Sequence, residues 1–252
     1  MTQRSIDVTP RTEDALAIRD AIYKLEDQLP VEVTDEVIEK AAWWGATVLA
    51  GNDTLNLTRI TDADEMALKH FIDSWSVMGV LRDVPAGATL LDIGTGAGFP
   101  GVPIALARPD ITTIFIDTMG KRLNWIKAAY AALGWDAPKT VHARAEVIGC
   151  DEKWREQADV VLARAVSAMP TLLEWCGPLV KRGGLFVAMK GPEVEPYGSA
   201  ARQIGLTHEK TITGTLYGIE EIERNIVCFR KTAKTPVNLP RAINEIKRKP
   251  LG

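Results

Sequence analysis

The stretch from Thr89 to Arg108 constrains this chain more than any other. A short apolar run, Thr89 to Ile93, interrupted only by Asp92, enters a turn in which Gly94, Gly96 and Gly98 alternate with small residues. Phe99, Pro100 and the apolar residues after them then read as the start of a helix. A strand feeding a glycine-dense turn and a helix is the pattern of a nucleotide-binding βα unit. Glycines there remove the Cβ atoms that would hold a ligand off the backbone, and they permit positive φ angles. Pro100 suits the first helical position, where a missing N–H is no loss.

Two details bear on the ligand. Gly96-x-Gly98-x-x-Gly101 satisfies the dinucleotide fingerprint, yet the glycine that directly follows the strand is Gly94, and counting from it places Phe99 where the third glycine belongs. Asp92 also sets an anion beside the turn, which favours a cationic ligand over a pyrophosphate. S-adenosylmethionine fits: its sulfonium and amino groups are positive, and its ribose needs an acid. Ile111 to Asp117 reads as the second strand, and Asp117 ends it about 20 residues beyond the glycines, as ribose binding requires. Capping of the helix that follows near Met119 is the competing role for Asp117.

At 252 residues the chain accommodates one large α/β domain with an appendage. Net charge is −3, so any contact with nucleic acid has to come from a local patch. Cys150, Cys176 and Cys228 are widely spaced and lack a C-x-x-C pair, and are expected as buried thiols in a reducing cytosol. Thr2 to Asp14 is polar with no signal-peptide core, and the longest apolar stretch, near Ala41 to Gly51, is too short to span a bilayer. A cytoplasmic protein without membrane association is expected.

Residues 1–80 read as a helical extension, 81–230 as the α/β domain and 231–252 as a basic tail. In the extension, one helix is expected from Thr12 to Leu29, ended by Pro30. A second is capped by Thr34 and stops at Gly51-Asn52. Its Trp43-Trp44 pair is read as packing against the neighbouring domain, with base stacking as the competing role. A third starts at Asp62-x-x-Glu65 and carries His70. Beyond Gly87, strands and helices alternate, the mark of a doubly wound sheet. Helices are expected at Gly120–Leu133 and Met169–Leu179. Further strands are expected at Lys139–Ala143, Asp159–Ala163 and Leu185–Met189, then at Thr207–Thr213 and Asn225–Phe229 around Tyr217-Gly218. Ligands of such sheets bind at the carboxyl ends of the strands, where Asp117, Glu146, Arg164 and Lys190 converge with the glycine turn. The tail holds Lys231, Lys234, Arg241, Lys247, Arg248 and Lys249 against Glu245 alone, making it either solvated or a phosphate clamp.

Asn56-Leu-Thr-Arg59, His70-Phe-Ile-Asp-Ser74, Asp92 to Gly101, Lys121-Arg122, Arg164-Ala165 and Lys190-Gly191, with Lys234-Thr-Pro and Leu239-Pro-Arg241 in the tail, together resemble the bacterial small-subunit ribosomal RNA guanine-N7 methyltransferases, the glucose-inhibited division protein B family. The likeness runs from about Asn52 onward and is weak over the first 30 or so residues. It implies a Rossmann-like class I methyltransferase domain with a helical N-terminal extension. The implied cofactor contacts are Asp92, Gly94, Thr95, Gly96, Gly98 and Phe99, then Asp117 and Thr118, Ala145 and Glu146 at the adenine, and Arg164. Thr118 stands where the family often has serine, and Ile243 to Glu245 departs from its glycine- and lysine-rich tail. The implied partner is small-subunit ribosomal RNA or the subunit itself, met by Asn56, His70, Arg122, Lys234, Arg241 and Lys247. No stable protein partner and no metal are expected.

Guanine N7 carries an in-plane lone pair and no proton, so methylation there requires alignment and desolvation rather than a base. Arg164-Ala-Val-Ser167 stands where amine methyltransferases place an Asn/Asp-Pro-Pro-aromatic loop, and no cysteine has an activating neighbour for covalent catalysis. Arg164 and Lys190, both donors, suit guanine O6 or a phosphate. His70 is either a substrate contact or a buried structural histidine. The alternatives kept open are a methyltransferase of another RNA or a small molecule, and a non-catalytic nucleotide-binding module.

Overall fold

In a computed structural model describing residues 7–252, seven strands form one sheet: β1 (Thr89–Ile93), β2 (Thr112–Asp117), β3 (Lys139–His142), β4 (Ala158–Arg164), β5 (Val180–Lys190), β6 (Leu206–Tyr217) and β7 (Glu221–Lys231). Residues 1–6, where the polar N-terminal stretch begins, lie outside the described residues. The strand order is β3-β2-β1-β4-β5-β7-β6. The first five strands are parallel, and β7 runs antiparallel between β5 and β6. Order reverses at β1, which pairs with β2 on one side and β4 on the other. The carboxyl end of β1 is therefore the switch point where a crevice opens.

Alternate residues of the central strands serve opposite faces. Leu90, Val160, Leu162 and Val187 join one apolar cluster, whereas Leu91, Val161, Ala163 and Ala188 join another. The first cluster continues into the extension through Ile18, Ile22, Trp44 and Phe71. Trp44 is fully buried, with ring centroids 5.3 Å from Trp125 and 5.5 Å from Tyr130, so it packs against the helix Gly120–Ala132. Thr34 caps the helix Asp35–Leu55 by accepting from the Val37 N–H at 3.4 Å, and Asp62 accepts from the Glu65 N–H at 2.9 Å.

Several boundaries differ from local expectation. The first helix is Thr12–Tyr23, followed by a tight turn at Glu26–Gln28. The earlier break brings Leu25 and Leu29 onto the core. The second helix runs through Gly51, where a Cβ would lie 2.3 Å from Trp125 Nε1, so close packing accounts for that glycine. Asn56 ends the helix instead, at φ 47° and ψ 57°, in the left-handed region asparagine tolerates. The helix after β4 is Met169–Cys176, and Gly177–Leu179 tighten into a 3₁₀ turn. Pro100 precedes the helix Gly101–Ala107 rather than opening it. Cys176 and Cys228 are buried, but Cys150 is exposed. Among the described residues no helix is long and apolar enough to cross a membrane.

Candidate active site

The turn after β1 takes the backbone its glycines permit, with φ of 74° at Gly94, 58° at Gly96 and 87° at Gly98. A Cβ on Gly98 would lie 2.6 Å from Val102 Cγ2 and 2.8 Å from Trp44, which binds the turn tightly to the extension. Asp92 lies beneath the turn, fully buried. Its Oδ2 accepts from the Thr95 hydroxyl and from the Gly101 N–H at 3.1 Å. Burial pushes its carboxyl up to about 6, against those hydrogen bonds. Asp117 binds the turn from β2: Oδ2 accepts from the Gly96 N–H at 3.0 Å and Oδ1 from the Met119 N–H at 2.8 Å. The capping contact at Met119 thus coexists with contact to the glycine turn.

Two cavities meet at this turn, and Gly94 and Ala165 line both. The smaller, about 300 Å³, has walls formed by Asp117, Thr118, Arg122, Ala145, Glu146 and Trp175. Three of its lining side chains carry buried polar atoms with no hydrogen-bond partner among the described residues: Glu146 Oε1, Arg122 Nε and the Trp175 indole nitrogen. Glu146 is 8% exposed. Leaving such groups unmet is costly, so they mark a place where a ligand supplies the missing partners.

The larger cavity is a cleft of about 780 Å³ between the turn, the extension and the ends of β5 and β7, lined by Thr95, Gly96, Phe99, Arg164 and Lys190 among others. Residues 67–72 are a π-helical segment that brings Lys69 and His70 to it. The His70 ring stacks on Phe99 at 4.3 Å and 9°. Arg164 Nη2 donates to His70 Nδ1 at 3.4 Å, so the proton sits on Nε2, which meets Thr58 Oγ1 at 2.9 Å. Burial, with Arg164 nearby, pushes the imidazole down to about 3, keeping it neutral. Arg164 Nη1 donates to Asp73 Oδ2 at 2.8 Å and to the Lys69 carbonyl at 3.0 Å. Asp73 Oδ1 accepts from Arg224 Nε at 2.7 Å. Lys190 Nζ donates to the Ser167 carbonyl at 3.1 Å and to Glu195 Oε1 at 3.0 Å.

The structure therefore gathers Gly94, Thr95, Gly96, Phe99, His70, Arg164 and Lys190 on the cleft, and Asp117, Thr118, Ala145 and Glu146 on the smaller cavity. Arg122 joins the smaller cavity, its Nη1 3.8 Å from Asp117 Oδ2. Gly98 is buried in the turn. Asn56 is exposed at the end of its helix, next to Leu57 of the cleft wall. The tail residues are elsewhere. Lys234 and Lys247 are exposed away from both cavities, and Arg241 grips the buried Glu174 with Nε at 2.8 Å and Nη2 at 2.6 Å. Asp73, Arg224 and Trp175 had no role in the sequence reading. Asp73 lay inside a quoted motif, but Arg224 and Trp175 carry no local signal.

Sheet order, a glycine turn at the switch point and a two-part crevice define a Rossmann-like methyltransferase fold. A solved structure from Galdieria sulphuraria, assigned as a sarcosine dimethylglycine methyltransferase, has the same fold at TM-score 0.50 and 14% identity, over 69% of this chain and 89% of that one. The family model described as rRNA small subunit methyltransferase G matches residues 37–226, and the chain belongs to that family. A ribosomal RNA small subunit methyltransferase G of Acetivibrio thermocellus is 36% identical over 95% of this chain and 99% of its own. The protein of that name from Lactobacillus helveticus is 39% identical over 87% and 93%. That of Lactobacillus delbrueckii subsp. bulgaricus is 44% identical over 79% and 85%.

Proposed function

We propose that the protein transfers a methyl group from S-adenosylmethionine to N7 of a guanosine in small-subunit ribosomal RNA. The observation that carries this is the pair of cavities meeting at Gly94 and Ala165, one with unmet polar atoms and one with donors. The smaller cavity suits an adenosine. Glu146 Oε1 is an acceptor and the Trp175 N–H a donor, matching the donor and acceptor on an adenine edge. Each Asp117 oxygen accepts one backbone N–H and keeps a lone pair for a ribose hydroxyl. The bare backbone of Gly94 and Gly96 leads from there to the cleft.

When bound, S-adenosylmethionine supplies an electrophilic methyl on its sulfonium. The chain's task is to hold the base in line and exclude water. Arg164 uses three of its five N–H groups within the protein, through Nη1 twice and Nη2 once. Its remaining N–H groups, with the third hydrogen of Lys190, are donors for guanine O6 or an adjoining phosphate. Neither ring nitrogen of His70 is free to act as a base, since one accepts from Arg164 and the other meets Thr58. That suits attack by a nitrogen with no proton to lose.

The test is to incubate the protein with tritiated S-adenosylmethionine and ribosomal RNA or small subunits from a strain lacking the enzyme, then digest and identify the labelled nucleoside. Labelled 7-methylguanosine is expected. Label on any other nucleoside, or none, defeats the proposal.

A further inference from the structure

The end of β7 and the chain beyond it are fastened to the outer wall of the smaller cavity. Lys231, fully buried, donates to the Gly177 carbonyl at 2.9 Å, directly after the helix Met169–Cys176, and to the Ile204 carbonyl at 2.8 Å. Arg155 then gathers the tail. Its Nη2 donates to the carbonyls of Thr235 at 3.0 Å and Pro236 at 2.9 Å, and its Nη1 to those of Leu239 at 2.8 Å and Gly149 at 2.7 Å. Gly149 ends the helix Ala145–Ile148, which carries Glu146. Leu239 enters the same apolar cluster as Ala145 and Ile148. Two residues on, Arg241 holds Glu174 with its guanidinium and its backbone N–H, the latter at 2.9 Å. Glu174 is fully buried, and its neighbour in sequence is Trp175 of the cavity wall.

A one-turn helix such as Ala145–Ile148 has no stability of its own. Its side chains are placed only as well as what it leans on, and here that support is the helix Met169–Cys176 together with residues 235–241. We infer that this segment, through Arg155 and the Arg241–Glu174 pair, is a brace that positions Glu146 and Trp175, and so sets affinity for the adenosine end of the cofactor. The inference rests on the cavity being the S-adenosylmethionine site. It gives the basic tail a different role from a phosphate clamp. Arg155 and Arg241 are positioning residues, and neither lines either of the two cavities.

Arg241→Lys and Arg155→Lys keep the charge and lose the forked grip. For each variant and the unaltered protein, calorimetry gives the Kd for S-adenosylmethionine, and steady-state assays with ribosomal RNA give kcat and both KM values. RNA affinity is measured against salt, with thermal unfolding as control. The cofactor Kd and KM are expected to rise about three- to tenfold, with kcat and the salt slope within about twofold of the unaltered protein. General loss of folded protein lowers apparent kcat without raising cofactor KM, which separates bracing from instability. Unchanged cofactor affinity in the folded variants overturns the inference. So does weaker RNA binding with unchanged cofactor affinity, which returns the tail to the RNA. If one variant does not fold, the other carries the test. An unaltered protein that binds no S-adenosylmethionine overturns the reading of the cavity instead.

Discussion

Asp73 and Arg164 meet across the boundary between the extension and the sheet, Oδ2 to Nη1 at 2.8 Å, and this pair aims the guanidinium at the end of β4 into the cleft. Asp73 also holds Arg224, so removing Arg164 does not leave a buried carboxylate alone. Arg164→Ala is therefore expected to abolish methyl transfer while keeping the fold. A tritium-transfer assay beside a circular dichroism melt checks it; a fully active variant shows that Arg164 does not touch the substrate.

The reverse change is more damaging to the structure. Asp73 is 3% exposed and is the shared partner of two arginines, so Asp73→Ala leaves two cations facing one another. Breaking a buried ion pair costs about 3–5 kcal/mol. A urea midpoint lowered accordingly, with unchanged slope, is expected. A variant as stable as the original would mean the arginines find other partners.

Asp117→Ala removes the acceptor of two backbone N–H groups and, with it, the proposed ribose contact. Cofactor binding is expected to weaken by about 1.5–3 kcal/mol, the range for hydrogen bonds to a charged group. Calorimetry with S-adenosylmethionine measures this directly, and an unaltered Kd removes Asp117 from the site.

Histidine 70 links the cleft to pH. Burial, then Arg164, pushes its imidazole down to about 3, below the ordinary value near 6.5 in the unfolded chain. Between those values the unfolded chain binds the proton that the folded protein refuses. The contribution of neutral His70 is therefore complete above about pH 6.5 and erodes as pH falls toward 3. The stability gap between the protein and His70→Gln, measured by urea titration, is expected to narrow over pH 6.5 to 4. A gap independent of pH contradicts the neutral buried ring.

The parts legible in the sequence are those with local causes. Buried parallel strands read as apolar runs, and Asp117, Arg164 and Lys190 stand out because each closes such a run at the same rim. Arg224 was illegible because its place depends on β7 inserting beside β5, where Asn225 pairs with Lys190. Trp175 becomes part of a cavity only once its helix is set by Arg241, far along the chain. Gly51 misled because a glycine–asparagine pair is a local stop signal, and packing against Trp125 overrode it. In the tail, composition counts charges but not their partners. Lys231 and Arg241 look like solvated cations until Gly177, Ile204 and Glu174 are seen to hold them.

The same distinction between charge and partner bears on the proposed RNA binding. Lys69 is paired with both Glu65, at 2.7 Å, and Glu220, while Asp73 and Glu195 hold the other cations of the cleft. An RNA phosphate arriving there competes with carboxylates already in place, so fewer ions are released than the count of lysines and arginines suggests. Each net phosphate contact with single-stranded RNA contributes about 0.7 to the salt slope. Glu220→Gln takes one carboxylate from Lys69, whose other partner remains. The variant is expected to bind ribosomal RNA more tightly at low salt, with a slope steeper by up to about 0.7, and to converge with the unaltered protein at high salt. Glu220 is half exposed, so its loss is expected to change stability by less than about 1 kcal/mol. Weaker RNA binding at every salt concentration would instead make Glu220 an RNA contact in its own right.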